Sequence, residues 1–302
     1  AQRGRLGPSR LARADRQVRL QGFAMTGKPR RRLAVIGGGV VGLAVARALA
    51  VEGADGTLFE RAYVGSGTSG LSFAWVNSNG KNPQSYHELN CAGMLEHVQL
   101  QSQAKSHTRA TWLDECGTFE WARGADQVAR LCKRADSLRE RGYPVERVSF
   151  ADVRRRLPDL HWDGCTGDVW HYPTESLVHP HLLMAWLRSQ ASALNCVVRE
   201  NTGVVALEET SQGVTMRLAS GEKWQGEACV LATGRWIPEL TRKLGAPLAM
   251  INADEPNKRA CGFLAMTPPL AIQLDCNLIT PELNVRPIGG GRLMLQAPDL
   301  DQ

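Results

Sequence analysis

The stretch from Leu33 to Val51 is almost wholly apolar, yet four glycines break its first half and Arg47 charges its second. A membrane span needs about 20 uninterrupted apolar residues. The pattern instead reads as a strand, a glycine turn and a helix. Arg31-Arg32-Leu33-Ala34-Val35-Ile36 supplies a short buried strand, and Gly37-Gly38-Gly39-Val40-Val41-Gly42 supplies the turn. A helix from Leu43 to Glu52 follows, with Gly53 as its C-cap. Gly56-Thr57-Leu58-Phe59 forms a second strand that closes on Glu60.

This is G-x-G-x-x-G in the context of strand, turn, helix, strand and acid. Gly37 allows the tight turn, Gly39 lets the backbone approach a diphosphate, and Gly42 lets helix and strand pack closely. The diphosphate of an adenine dinucleotide then sits on the free N–H groups and positive end of the helix. Glu60 lies 18 residues after Gly42, where a carboxylate accepts both ribose hydroxyl protons and repels a 2′-phosphate. NADP is therefore disfavoured. The motif alone does not separate FAD from NAD.

Composition narrows the class. Of the 302 residues 43% are hydrophobic and 22% charged, which excludes a disordered chain. The eight cysteines (91, 116, 132, 165, 196, 229, 261 and 276) stand singly, as reduced buried thiols of a cytoplasmic protein do. Residues 1–32 hold ten Lys/Arg against Asp15 alone, a surplus of nine, so within the net +6 the other 270 residues sum to −3. The basic character belongs to a disordered tail, residues 1–30, and the body offers no nucleic-acid-binding face. The first 24 residues lack the apolar core of a secretory signal.

Further along, residues 203–219 alternate apolar and polar about a Gln-Gly turn and read as a β-hairpin. Glu227-Ala228-Cys229-Val230-Leu231 is a buried strand that ends in Ala232-Thr233-Gly234, small residues where backbone can pass close to a ligand. An NAD dehydrogenase domain has no particular need of that ending.

The glycine turn, Glu60, the late Ala-Thr-Gly strand and the segment between them resemble the D-amino-acid-oxidase-type FAD-dependent oxidoreductases, which include glycine and sarcosine oxidases. The resemblance runs from about Arg32 to the end of the chain. It implies FAD, covalent or noncovalent, and oxidation of the C–N bond of an amine or amino acid by hydride transfer to flavin N5. The imine so formed hydrolyses. It also implies an α/β fold: a Rossmann-like FAD-binding domain with a parallel sheet and helices, plus a mixed-sheet substrate domain. The boundaries expected are 31–80 and 176–245 for the FAD-binding domain, and 81–175 and 246–302 for the substrate-binding domain.

In that family the Gly/Ser/Thr-rich stretch after the acid runs beneath the isoalloxazine ring. The resemblance thus puts Gly37, Gly39, Val41, Gly42, Glu60, Arg61, Ser66, Thr68, Ser69, Gly70, Val205, Ala232, Thr233 and Gly234 on FAD. Phe73, Trp75 and Asn77 fall near the ring, and His171 and Tyr172 join Trp75 and Asn77 as substrate-pocket candidates. No G-x-S-x-G occurs, so a hydrolase nucleophile elbow is unsupported.

Helices are expected over Gln84–Lys105, Ala125–Arg141, a Ser149-capped turn ending at Pro158, and Pro180–Leu194. The Arg154–Arg156 run reads as a solvated face. His161, Cys165, His171, His179 and His181 crowd into 21 residues, but no two of the histidines have the i, i+4 spacing of a helical zinc motif, so no metal is expected. Catalysis at a flavin does not require a side-chain base as acyl transfer does, and the sequence names no catalytic residue.

Near the end, Val285 to Leu295 forms a hairpin about a glycine turn. Relatives normally continue for several tens of residues, through a Gly-x-Arg-Pro-type segment that returns to the flavin. Its absence before Gln302 leaves three expectations: a truncated chain, a second chain that supplies the segment, or a more open site. Two other functions remain: a flavin monooxygenase using NAD(P)H, and a partner-dependent FAD-binding subunit without activity of its own.

Overall fold

The computed structural model describes residues 30–297 except 107, 110, 161, 163–167, 249 and 251–261. The basic segment 1–29, His161, Cys165 and Cys261 thus lie outside the described residues.

The strand Arg32–Ile36 occupies the middle of a four-stranded sheet, between Ala228–Leu231 and Asp55–Phe59, with Val197–Arg199 beyond the latter. Every pairing in this sheet is parallel. Its strands are short and apolar because both faces are covered. On one face Val35 and Leu58 meet Leu43, Ala46 and Ala50 of the helix Val40–Val51, and Leu183, Met184 and Leu187 of the helix Pro180–Ala193. On the other, Ala34, Ile36 and Phe59 meet Met216, Leu218 and Trp224. The last three come from an antiparallel sheet of Val204–Thr210, Gly213–Leu218 and Lys223–Gly226.

A second, seven-stranded mixed sheet runs in the order 264–266, 292–296, 284–289, 277–279, 118–120, 169–172 and 146–148. Among the described residues its only parallel pairing joins Asn277–Ile279 to Thr118–Glu120. Phe119, Val169 and Leu278 pack one face with Val153 and Leu157. Trp170 and Tyr172 pack the other against Leu131, Ala135 and Leu138 of the helix Ala125–Glu140. A small antiparallel sheet, Trp75–Val76 with Ser176–Val178 and Leu113–Asp114, lies between the elements of the two large ones in sequence.

The helix after the glycine turn starts at Val40, three residues before the start that apolar spacing marks, because extended Gly39 serves as its N-cap. The hairpin at 203–219 gains a third strand, and a short 3-10 turn, Thr68–Leu71, forms inside the Gly/Ser-rich stretch. Ser149 caps Phe150–Arg156 as its spacing predicts, its hydroxyl accepting the Asp152 N–H. Among the described residues no helix is long and apolar enough to cross a membrane.

Candidate functional site

Steric exclusion shapes the glycine turn. Gly37 sits at φ +112°, where a Cβ would lie 2.4 Å from the Ala232 carbonyl oxygen. A Cβ on Gly42 would lie 1.8 Å from the Gly37 carbonyl oxygen. Only hydrogen fits at either place, and the result is a turn pressed between the helix start and the end of the strand Ala228–Leu231. Ser69 folds back onto this turn, its hydroxyl accepting the Val40 N–H at 3.0 Å. The N–H groups of Gly39 and Val41 have no partner among the described residues. Two donors at the positive end of a twelve-residue helix therefore remain for an anion.

Glu60 is buried beside them. Its Oε2 accepts the Gly38 N–H at 2.7 Å and its Oε1 the Ala62 N–H at 2.9 Å. Each carboxylate oxygen offers a second lone pair, so the group can fasten the turn and still accept from a sugar hydroxyl. Nearby, the Arg61 guanidinium lies 4.0 Å from the centre of the Trp236 ring and that of Arg235 4.4 Å from it. Gly234 is left-handed at φ +55°, and the buried Thr233 hydroxyl has no hydrogen-bond partner among the described residues. Val205, half-buried, gives its carbonyl to Lys243 Nζ at 3.1 Å. Free amides, an orphaned hydroxyl and a buried carboxylate around a turn without side chains suit the diphosphate and ribose of an adenine dinucleotide.

The stretch after Glu60 is tightly tied. The Ser66 N–H donates to the Tyr63 carbonyl at 3.0 Å, Thr68 opens the 3-10 turn, and a Cβ on Gly70 would lie 2.2 Å from the Gly65 carbonyl oxygen. Ala74 then takes φ +52°, a left-handed conformation that costs a side-chain-bearing residue roughly 1–2 kcal/mol. It is held by three contacts: its N–H donates to Ser72 Oγ at 3.0 Å, its carbonyl accepts the Val178 N–H at 3.0 Å, and the preceding Phe73 carbonyl accepts from Arg286. Strain that the surroundings enforce is common at functional sites. The Asn77 amide is used locally, its Nδ2 donating to the Trp75 carbonyl at 3.3 Å and its Oδ1 accepting the Asn79 N–H at 3.1 Å.

Beneath this stretch is a buried polar cluster centred on Glu175, whose side chain is 0% exposed. The Trp75 indole N–H donates to Oε2 at 2.8 Å and the Tyr143 hydroxyl to Oε1 at 2.9 Å. Tyr143 in turn accepts the Ser78 N–H at 3.1 Å, and Ser78 Oγ lies 2.8 Å from His87 Nδ1. Desolvation pushes the Glu175 carboxyl up to about 8, against the hydrogen bonds from Thr118, Tyr143 and Trp75 that favour its ionised form. Burial likewise raises the Tyr172 phenol, with the Glu120 charge as the next cause. Glu120 is paired with the Arg134 guanidinium and accepts from Asn79 Nδ2 at 3.2 Å.

The structure thus gathers Trp75 and Tyr172 around Glu175 but not His171. Strand alternation turns His171 to the opposite face, where it stacks on Phe119 at 4.5 Å and its Nδ1 lies 2.9 Å from Glu146 Oε2. His179 is taken by Asp114 at 2.8 Å. Among the described residues no three His, Cys, Asp or Glu side chains are grouped to hold a metal ion. In the Arg154–Arg156 run, Arg155 pairs with Asp152, while Arg156 reaches Asp275 at 3.7 Å and lies over the Phe119 ring. Sequence reasoning passes over Glu175, Tyr143, Glu120, Arg134 and Arg286. Glu175 directly precedes the strand Ser176–Val178, all three residues of which are buried.

A model of the FAD dependent oxidoreductase family matches residues 32–302. The glycine oxidase of Geobacillus kaustophilus (strain HTA426) is 26% identical over 250 residues, 79% of this chain and 62% of that protein. The formaldehyde-forming 4-methylaminobutanoate oxidase of Paenarthrobacter nicotinovorans is 23% identical over 245 residues, 81% of this chain and 29% of that protein. The chain therefore spans less than two thirds of the length of either relative. In fold it resembles the crystal structure of glycine oxidase from Geobacillus kaustophilus, with a TM-score of 0.76 at 21% identity over 89% of this chain and 71% of that one.

Proposed function

The chain belongs to the FAD dependent oxidoreductase family, and from that membership we propose that it binds FAD on its glycine turn and acts in the oxidation of an amine or amino acid at the C–N bond. The observation that carries the reading is the cradle itself: unpartnered Gly39 and Val41 amides beside the buried Glu60 carboxylate, on a turn where Gly37 and Gly42 admit no side chain.

In this reading Gly39 and Val41 hold the diphosphate and Glu60 the ribose. Arg61, Val205, Ala232, Thr233 and Gly234 border the adenosine side, and the orphaned Thr233 hydroxyl supports that assignment. Ser66, Thr68, Ser69 and Gly70 serve the phosphates and the ribityl chain. The chemistry the flavin supplies is hydride acceptance at N5, which turns the substrate C–N bond into an imine that water hydrolyses. The chain's own part is to orient: Trp75, pinned by Glu175, lines the flavin side, and Tyr172 belongs to the same supported wall. Residues 31–80 and 176–245 form the FAD-binding part, 81–175 and 246–302 the substrate-binding part. A small-molecule amine is supported by the names of the relatives, one an oxidase of glycine and one of an N-methylated amino acid. Scattered single cysteines support a cytoplasmic location.

The test is direct. Purified chain is mixed with FAD, and bound flavin is titrated anaerobically with a panel of amino acids and N-methyl amines. Bleaching by one of them supports the reading. Protein that ignores added FAD overturns it, and bound flavin that responds only to NADH with an aromatic substrate assigns a monooxygenase instead.

A further inference from the structure

Arg286 is a buried cation without a counter-ion. It lies on the strand Asn284–Gly289 and is 2% exposed, yet among the described residues no carboxylate stands within ion-pair distance of it. Asp114, the acid whose charge acts on it, is occupied by His179 at 2.8 Å. Burying a guanidinium is expensive, and an apolar side chain of similar size usually fills such a place at no loss of stability. The cation therefore needs another reason to be there.

Its contacts supply one. Nη1 donates to two backbone carbonyls, that of Phe73 and, at 3.2 Å, that of Val178. These flank the left-handed Ala74, whose own carbonyl accepts the Val178 N–H. One rigid, planar donor thus ties the strained turn to the strand Ser176–Val178 and to the seven-stranded sheet at once. The guanidinium also lies 6.0 Å from the centre of the Phe73 ring.

We propose that Arg286 is a positioning residue for the flavin-facing strand: by gripping the Phe73 and Val178 carbonyls it locks Ala74 in its left-handed turn, and so fixes Phe73 and Trp75 where the isoalloxazine ring is bound. The assignment to the ring side rests on the FAD reading above, whereas the clamp is a property of the bare chain.

The experiment compares the full chain with R286M and R286K. Amide hydrogen exchange of the chain without FAD reads the clamp: in R286M the Val178 amide exchanges at least about tenfold faster, the effect of losing one charged hydrogen bond. The Ala232 amide, bonded to the Ile36 carbonyl at 2.8 Å, stays unchanged. Titration with FAD and with ADP then reads the ring side. R286M weakens FAD by about tenfold or shifts the visible bands of the bound flavin, with ADP affinity unaltered. R286K, which keeps the charge but carries it on a flexible ammonium in place of the rigid planar guanidinium, falls between the two chains. Wild-type exchange at Val178 in both variants overturns the clamp. Equal loss of FAD and ADP affinity overturns the ring-side assignment, since it marks a general structural defect. A wild-type chain that binds neither ligand sinks the FAD reading and with it that assignment, while the exchange arm still decides the clamp.

Discussion

The Trp75 indole N–H points at Glu175 Oε2 from 2.8 Å, joining the stretch that follows the glycine turn to a carboxyl group with no access to water. Every group bonded to that carboxyl is a donor, which favours its ionised form, yet desolvation outweighs them and pushes it up to about 8. The unfolded chain ionises it near the ordinary value of 4.5. Between these values the native state keeps a proton that the unfolded state has shed, so stability falls as pH rises through 4.5 to 8 and the cost is complete above 8. The urea midpoint should fall between pH 5 and pH 8.5 by an amount worth on the order of a few kcal/mol. E175Q, which cannot ionise, should flatten the slope. An equally steep slope in E175Q refutes the assignment.

Two glycines separate space from backbone freedom. Gly42 has no positive φ, but a Cβ there would stand 1.8 Å from the Gly37 carbonyl oxygen, a backbone atom that cannot swing aside. Gly53 has φ +82°, and a Cβ there would meet no other described residue within 4 Å. Gly42→Ala should therefore cost about 1–3 kcal/mol or more through overpacking and should abolish FAD retention. Gly53→Ala should cost about 1 kcal/mol from its backbone alone and leave FAD binding intact. Thermal melts with and without FAD distinguish them; equal effects would refute the steric account.

What could be read from the chain follows from how local the cause is. The turn from Ile36 to Gly42, the helix after it and the strand closing on Glu60 depend on neighbours in sequence, and their residue types state their geometry. The cap of Ser149 on Asp152 is of the same kind. The Glu175 cluster is not. Trp75 reaches it across 100 positions and Tyr143 across 32, so no window of sequence holds the pattern. Arg286 meets Phe73 across 213 positions, and nothing about an Arg before a Pro marks it as buried. His171 and Tyr172 are adjacent, and strand alternation alone sends them to different faces.

Glu60 carries two duties that one substitution can test together. Its two oxygens take the Gly38 and Ala62 N–H groups, so Gln, with one acceptor, must leave one buried amide facing another donor. E60Q should destabilise the chain without FAD by about 1–3 kcal/mol. FAD affinity should fall by about tenfold or more, because the retained oxygen can no longer both brace the turn and accept from the ribose. Differential scanning calorimetry and FAD titration measure the two. Unchanged stability with weakened FAD would mean that the carboxylate serves the sugar alone.

Glu120 and Arg134 support the wall that holds Tyr172. Glu120 is 7% exposed, the guanidinium is its sole cationic partner among the described residues, and Asn79 Nδ2 donates to it at 3.2 Å. Removing the cation leaves a charge in low dielectric, which is why breaking a buried pair costs more than the pair contributes. Because the Arg134 side chain is 39% exposed, water screens part of that cost. R134M should destabilise by about 1–3 kcal/mol, less than the 3–5 typical of a fully buried pair. Adding E120Q removes the stranded charge, so the double variant should regain part of the loss. A double-mutant cycle in urea gives the coupling; a double variant as unstable as the sum of the singles would show that the two side chains act independently.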